Sequence, residues 1–98
     1  MTMARTDQME SLFSAILSLK TVEECHLFFE DICTIKELQA MTQRWQVACQ
    51  LDQGKNYNEI SDQTGASSAT ICRVNKCLNY GGGYRVALDR LEKAGESK

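Results

Sequence analysis

The sequence of 98 residues has no proline, a single histidine and a single tryptophan. Because proline is absent, glycine and capping side chains have to set the ends of the secondary structure elements. The chain also lacks a run of about 18 apolar residues, which excludes a membrane span. Its 43% hydrophobic and 24% charged residues are ordinary for a globular protein and exclude a disordered or collagen-like chain.

The first residues of the sequence lack the apolar segment of a secretory signal peptide. We therefore expect a cytoplasmic protein with no membrane partner. A chain of this length is expected to fold as a single domain over residues 1–98, with a core large enough to need no disulfides.

The cysteines form an odd set without a CxxC pair: Cys25, Cys33, Cys49, Cys72 and Cys77. In a cytosolic protein we expect them to be small buried hydrophobic residues, and we predict no metal site. Five residues on a helix separate Cys72 from Cys77 around the axis, which is a poor geometry for sharing an ion. The alternative is a redox sensor at Cys72, beside the positive charge of Arg73.

The sequence has no arrangement typical of an enzyme. His26 is the sole histidine, and its neighbour Cys25 would point about 100° away from it on a helix, so the two form no nucleophile–base pair. No carboxylate pair, phosphate-binding loop or metal-ligand spacing is present. We predict a protein that is not an enzyme.

Apolar residues recur at helical spacing and strand signals are nearly absent, which predicts an all-α domain of six helices. Caps and capping boxes mark the helix starts: Thr6, Thr21–Glu24, Thr34–Glu37, Asn56, and Ser67 or Ser68. Gly54 and Gly65 are expected to end helices, and Gly81–Gly83 separates the fifth helix from a last one that starts near Tyr84. Trp45, spaced with apolar neighbours on the third helix, is expected in the core; the alternative is a pocket wall.

The first two helices carry large apolar residues on more than one face: Leu12, Phe13, Ile16, Leu17, Leu27, Phe28, Phe29 and Ile32. Helices that are apolar nearly all round have to be buried on several sides. In so short a chain the expected cover is a second subunit, so we predict a homodimer. The alternative is that these residues form the core of a monomer.

Residues 57–79 combine the features of a helix-turn-helix. Gly65 lies at the turn, where a positive φ is needed, and Ser61 is small enough for close approach of the second helix. Three apolar residues would pack the two helices together: Ile60, Ile71 and Val74. Six residues then lie on the outward side of the second helix: Ser67, Ser68, Ala69, Cys72, Arg73 and Lys76.

The net charge of −2 is unevenly distributed. Between Gln63 and Leu88 there is no acidic residue, and the basic ones are Arg73, Lys76 and Arg85. Small polar residues at a helix N-terminus, followed by a basic side chain, suit the major groove of double-stranded DNA. The alternative is a helical protein–protein interaction module whose outer face is solvated, which the overall acidity favours.

The segment Glu59–Arg73 resembles the helix-turn-helix of the tryptophan repressor family in its Gly-Ala turn and the Ala-Thr-Ile-x-Arg run that follows. Thr42–Trp45, on the long third helix, extends the resemblance, which covers about residues 21–94. The linker Tyr80–Tyr84 is similar to that of the tryptophan-repressor-like proteins of Gram-positive bacteria, the YerC/YecD type.

The resemblance implies an intertwined homodimer with dimerisation helices in 1–54, the helix-turn-helix in 57–79 and a C-terminal helix in 84–95. Two recognition helices would meet a palindromic operator roughly 34 Å apart, as expected of a transcriptional repressor. Carried over by position, the operator-facing residues are Ser68, Ala69 and Cys72. Phosphate contacts are implied for four more residues: Tyr57, Asn58, Ser61 and Ser67.

The resemblance also implies a site for an amino-acid corepressor between Arg44 and Arg73, beside Thr70 and Cys77. Val74 stands where the family has glycine, and its extra carbons occupy space that an indole ring needs. Cys77 stands where the family has a serine, and a thiol is a weaker polar partner. We therefore expect another small-molecule effector, or none, in place of tryptophan. Arg73 has two competing roles, at a ligand carboxylate or at DNA.

Overall fold

A computed structural model describes residues 4–96 of the chain, with side chains up to residue 95. The prediction of six helices is confirmed: α1 Asp7–Leu17, α2 Val22–Ile32, α3 Ile35–Asp52, α4 Tyr57–Thr64, α5 Ser68–Tyr80 and α6 Gly83–Glu96. No strand occurs in residues 4–96. Among these helices none is long and apolar enough to cross a membrane. The ends of the predicted 1–98 domain, residues 1–3 and 97–98, lie outside the described residues.

The helix starts follow the predicted caps. At α3 the capping box is complete, since the Glu37 amide donates to Thr34 Oγ1 (3.1 Å) and the Thr34 amide donates to Glu37 Oε1 (2.8 Å). At α2 the Glu24 amide donates to Thr21 Oγ1 (3.0 Å), but the Glu24 carboxylate accepts from the amide of Lys20, one residue before the cap. Each of these bonds satisfies an amide that has no partner inside its helix.

Two glycines end helices in the left-handed region that side chains disfavour. Gly54 follows α3 with φ of 83°, and Gly65 follows α4 with φ of 75°. Ser67 is the N-cap of α5, which settles the alternative with Ser68. α6 begins at Gly83, one residue before the predicted Tyr84.

The chain divides into two compact units, one up to Leu38 and one from Gln39 onward. In the second unit, residues from α3, α4, the turn and α5 form a buried core: Val47, Ala48, Ile60, Ala66, Ile71 and Val74. Burying one large aliphatic side chain of this kind contributes about 1.5–3 kcal/mol. Trp45, Leu51 and Tyr84 pack against the cluster, which agrees with the core role expected of Trp45.

In the first unit, α1 and α2 contain no buried residue. Phe28 and Phe29 make an edge-to-face contact with ring centroids 5.4 Å apart. Large apolar side chains of both helices are exposed: Leu12, Phe13, Leu17, Val22, Leu27 and Ile32. A single chain therefore leaves the apolar faces of α1 and α2 uncovered.

The expectation that the cysteines are buried is wrong for the single chain. Cys25, Cys72 and Cys77 are exposed, while Cys33 and Cys49 are half-buried, and all five are free thiols. The reason is position on the helices: Cys72 lies on the face of α5 opposite Ile71 and Val74, and Cys25 lies on α2, which buries nothing in this chain. Burial, with the charge of Asp52, raises the pKa of the Cys49 thiol.

Candidate nucleic-acid interface

The turn between α4 and α5 is short and closely packed. The Gly65 amide donates to the carbonyl of Ser61 (2.9 Å) while Gly65 adopts its left-handed conformation. Ser61 Oγ donates to the carbonyl of Ala66 (3.0 Å), and Ala66 is buried in the core. The turn therefore holds α5 at one position against α4.

Two further side chains stabilise the turn, and no role was predicted for either of them from the sequence. Thr64 Oγ1 donates to the carbonyl of Ile60 (2.7 Å) and accepts from the Ala66 amide (3.1 Å). From α3, Gln43 Nε2 donates to the carbonyl of Thr64 (3.2 Å). Threonine before a helix-ending glycine could have indicated the local bond, because its hydroxyl readily bonds nearby backbone. No local pattern indicates the contact of Gln43, which is 21 residues away.

The two sides of α5 differ sharply in burial. Ile71 and Val74 are in the core, as the spacing predicts. Five residues predicted on the outward side are all exposed: Ser68, Ala69, Cys72, Arg73 and Lys76. The structure thus brings two cations and three small side chains together on one accessible helix face.

The N-terminus of α5 is open to solvent and carries no acidic residue in its first turn. Ser67 Oγ accepts from the Thr70 amide (3.2 Å) and donates to Thr70 Oγ1 (3.2 Å). The amides of Ser68 and Ala69 have no acceptor within the helix, because they belong to its first turn. Such a helix end favours a negatively charged group.

Three of the four residues predicted for phosphate contacts are exposed. Tyr57 and Asn58 are exposed in the first turn of α4, and Ser67 is exposed before α5. Ser61 is half-buried, and its hydroxyl proton is already used inside the turn. Ser61 is therefore placed to support the turn, and its oxygen retains only acceptor capacity.

Of the three basic residues between Gln63 and Leu88, Arg85 is neutralised by carboxylates that lie outside this segment. Arg85 Nη1 pairs with Asp52 Oδ1 of α3 and Arg85 Nε pairs with Asp89 Oδ1 of α6, both at 2.9 Å. Bonds to these carboxylates raise the pKa of Arg85. The expected basic strip therefore reduces to Arg73 and Lys76, neither of which has an ion pair in the described part of the chain.

An aromatic side chain that was not assigned from the sequence, Tyr84, lines the same cleft as Cys77, one of the residues implied for a corepressor. Tyr84 packs against the core and stacks on Trp45, with ring centroids 6.4 Å apart and an interplanar angle of 24°. Burial raises the pKa of the Tyr84 phenol, and the charges of Arg44 and Arg73 act in the opposite direction. Of the other implied residues, Cys77 is exposed, and Thr70 is half-buried with its hydroxyl on Ser67.

A shallow cleft of about 350 Å³ lies beside Tyr84, lined also by Cys77 and Gly81–Gly83. Val74 is 1% exposed and belongs to the core cluster, so its side chain fills the space that glycine would leave. Residues 4–96 contain no group of three His, Cys, Asp or Glu side chains placed to hold a metal ion.

A helix pair with a glycine turn, an inward apolar side and an accessible outer side defines the class: an all-helical helix-turn-helix protein. The sequence profile of the Trp repressor protein family matches residues 7–92. The chain belongs to this family, and the resemblance drawn from its motifs is confirmed.

Relatives of known sequence or structure span nearly the whole chain. It is 51% identical over 90 residues to the uncharacterized protein YerC of Bacillus subtilis (strain 168), covering 91% of this chain and 86% of YerC. A crystal structure of a TrpR-like protein from Eubacterium eligens ATCC 27750 has a TM-score of 0.86 and 49% identity, covering 90% of this chain and 92% of that one. A Trp repressor candidate from Staphylococcus aureus has a TM-score of 0.86 and 45% identity, covering 90% and 89%.

Proposed function

We propose that the protein is a cytoplasmic, sequence-specific DNA-binding transcriptional regulator that acts as a dimer and represses from a palindromic operator. The observation that carries this proposal is the outer face of α5, where Arg73 and Lys76 are exposed and have no ion pair among residues 4–95, next to an acid-free helix N-terminus. Membership of the Trp repressor family supports it.

The chemistry of this face suits the major groove. The small side chains of Ser68, Ala69 and Cys72 let the helix approach base edges closely, and the Ser68 hydroxyl and the Cys72 thiol offer donors and acceptors. Arg73 and Lys76 follow at distances along the helix that reach a base acceptor or a phosphate. The open amides at the start of α5 supply phosphate contacts that set the orientation, and the exposed Tyr57 and Asn58 at the start of α4 supply more.

Dimerisation is supported by the uncovered faces of α1 and α2. These helices bury no residue within the chain, and exposed Leu and Phe side chains of this number need a cover. A two-fold dimer presents two copies of α5, and half-sites about one DNA turn apart would then form a palindrome.

A genome-wide binding experiment followed by fluorescence anisotropy on the recovered site tests the proposal. The double variant Arg73→Ala/Lys76→Ala should weaken operator binding and reduce the magnitude of its salt slope by ~2, one unit per lost phosphate contact. The matched control is Arg90→Ala/Lys93→Ala, which removes an arginine and a lysine at the same spacing from exposed positions on α6. Unchanged binding by the first pair, or equal affinity for scrambled DNA, would contradict the proposal.

A second candidate is a helical interaction module that binds another protein. The exposed apolar faces of α1 and α2, with the net charge of −2, favour it. Under this alternative the genome-wide experiment recovers no DNA site, and the chain is monomeric when its protein partner is absent. Leu27→Asp then abolishes binding of that defined partner.

A further inference from the structure

We propose that Tyr84 itself occupies the place beside Trp45 and Val74 where the resemblance implies a corepressor, and that it holds α5 in position without a small-molecule effector. The link to DNA binding rests on the proposed function; the structural role of Tyr84 does not. The family implies an amino-acid corepressor, and the residues present do not fit one, because Val74 is packed into the core at that place.

The glycine linker brings Tyr84 back toward α5. The Gly81 amide donates to the carbonyl of Cys77 (2.9 Å), and a Cβ on Gly81 would lie 2.7 Å from that oxygen. Only glycine allows the backbone to pass this close to the last turn of α5. Only Gly82 follows before α6 begins at Gly83, and Tyr84 falls in the first turn of α6.

From this position the ring contacts two parts of the second unit at once. It stacks on Trp45 of α3, and it packs against the cluster that contains Ile71 and Val74 of α5. The next residue, Arg85, adds an ion pair to Asp52 near the end of α3. Side chains of α6 therefore tie α3 and α5 together without any added molecule.

The charges of the two arginines implied for a ligand, Arg44 and Arg73, act on the phenol of Tyr84 against the rise in pKa that burial causes. Both guanidinium groups are close enough to affect the Tyr84 phenol, and neither has a carboxylate partner in residues 4–96. Burial raises the pKa of this phenol, which is therefore neutral near pH 7, with an oxygen that can accept a hydrogen bond. An aromatic ring with a polar acceptor is thus already present where an aromatic amino acid would have to bind.

The test removes the ring and then returns it as a small molecule. In Tyr84→Ala, Trp45 reports the loss through its fluorescence, since it is the sole tryptophan of the chain. We expect a changed emission maximum and about tenfold faster hydrogen exchange of α5 amides, both restored by p-cresol, which has the shape of the missing side chain. Tyr80→Ala is the matched control, because Tyr80 is 89% exposed at the other end of the linker.

DNA binding supplies a separate measurement. Operator affinity of the unmodified protein should be the same with and without tryptophan, fall about tenfold in Tyr84→Ala, and recover with p-cresol. An increase in the affinity of the unmodified protein on adding tryptophan would overturn the inference. So would fluorescence and exchange in Tyr84→Ala that match Tyr80→Ala.

Two further comparisons separate failure of the proposed function from failure of the role assigned to Tyr84. If the unmodified protein binds no operator, the proposed function fails, while the fluorescence, exchange and p-cresol measurements still decide the role of Tyr84. If Tyr84→Ala does not fold, Tyr84→Leu retains apolar bulk and is compared in the same way. Tyr84→Phe retains the stack and should keep the fluorescence of the unmodified protein; a change as large as that of the leucine variant would overturn the inference.

Discussion

Residues 4–38 and residues 39–96 use apolar side chains at the same helical spacing, yet they bury them to very different extents. In α2, Leu27 is 57% exposed, and no residue of that helix is buried. In α5, Ile71 and Val74 are each 1% exposed. The two regions differ in what surrounds the helix, since α5 contacts both α4 and α6.

Apolar periodicity identifies the face of a helix that has to be buried, but it does not identify the surface that buries it. The region from Gln39 onward finds the cover within its own chain, where four elements meet around Ile60. The stability of the first region is then expected to depend on association, and hence on protein concentration.

The largest expected effect is at the centre of the second region. Ile60→Ala should lower the free energy of unfolding by about 2–5 kcal/mol, because Ile60 is fully buried and the cavity cannot collapse easily. Denaturant unfolding measures this. The control, Ile35→Ala, truncates an isoleucine that is 72% exposed, and an equal loss there at low protein concentration would break the comparison.

A charge on the face of α2 should act on association. Leu27→Asp is expected to weaken the dimer about 100-fold, the effect of losing a buried apolar anchor worth ~2–3 kcal/mol. Sedimentation over a range of concentrations measures the dimer–monomer equilibrium. Tyr80→Asp places the same charge at an exposed aromatic residue of the second region and should leave the equilibrium unchanged. A monomeric unmodified chain would contradict the explanation of the exposed faces.

Alanine variants of Gly65 and Gly54 distinguish the cost of backbone strain from an effect on DNA binding. Replacing either by alanine should cost about 1–2 kcal/mol in unfolding free energy, because both adopt a left-handed conformation. Only Gly65→Ala should also reduce operator affinity, since Gly65 sets the angle between α4 and α5. A similar loss of affinity in Gly54→Ala would mean that the turn has no special role.

The smallest expected effect concerns the caps, which are local to each helix. Thr34→Ala and Asn56→Ala should each cost about 1 kcal/mol, as loss of an N-cap usually does. The two costs should be similar although Thr34 lies in the first region and Asn56 in the second, because each cap bonds to an amide three residues away. Chemical unfolding of both variants measures the two losses of unfolding free energy. A loss seen only in Asn56→Ala would mean that the contribution of a cap depends on burial in the core.

The predictions that agree with the structure concern neighbours along the chain. Helix count, N-caps, the glycine helix ends and the inward positions of Ile60, Ile71 and Val74 all depend on residues within a few positions of each other. The features that were missed connect distant positions. Gln43 reaches Thr64, Asp52 reaches Arg85, and Tyr84 reaches Trp45, in each case across at least 20 residues.

The error about the cysteines has the same origin. Residue type indicates that a cysteine tends to be buried, but burial depends on which helix face meets a neighbour. Cys72 and Ile71 are adjacent in sequence and about 100° apart around one helix, and only Ile71 is buried in the core. Arg85 illustrates the same point for charge. The sequence placed it in the basic strip, but it pairs with two carboxylates and therefore does not contribute to that strip.

Local hydrogen bonds and backbone preferences act within one helical turn, so the amino-acid order was enough to establish six helices, their caps and the glycine turn between α4 and α5. Folding of the chain in three dimensions selected the rest: which cations remain unpaired on α5, and which ring stacks on Trp45. Contacts between residues far apart in sequence depend on how helices pack, and packing is a property of the assembled surfaces rather than of any single segment.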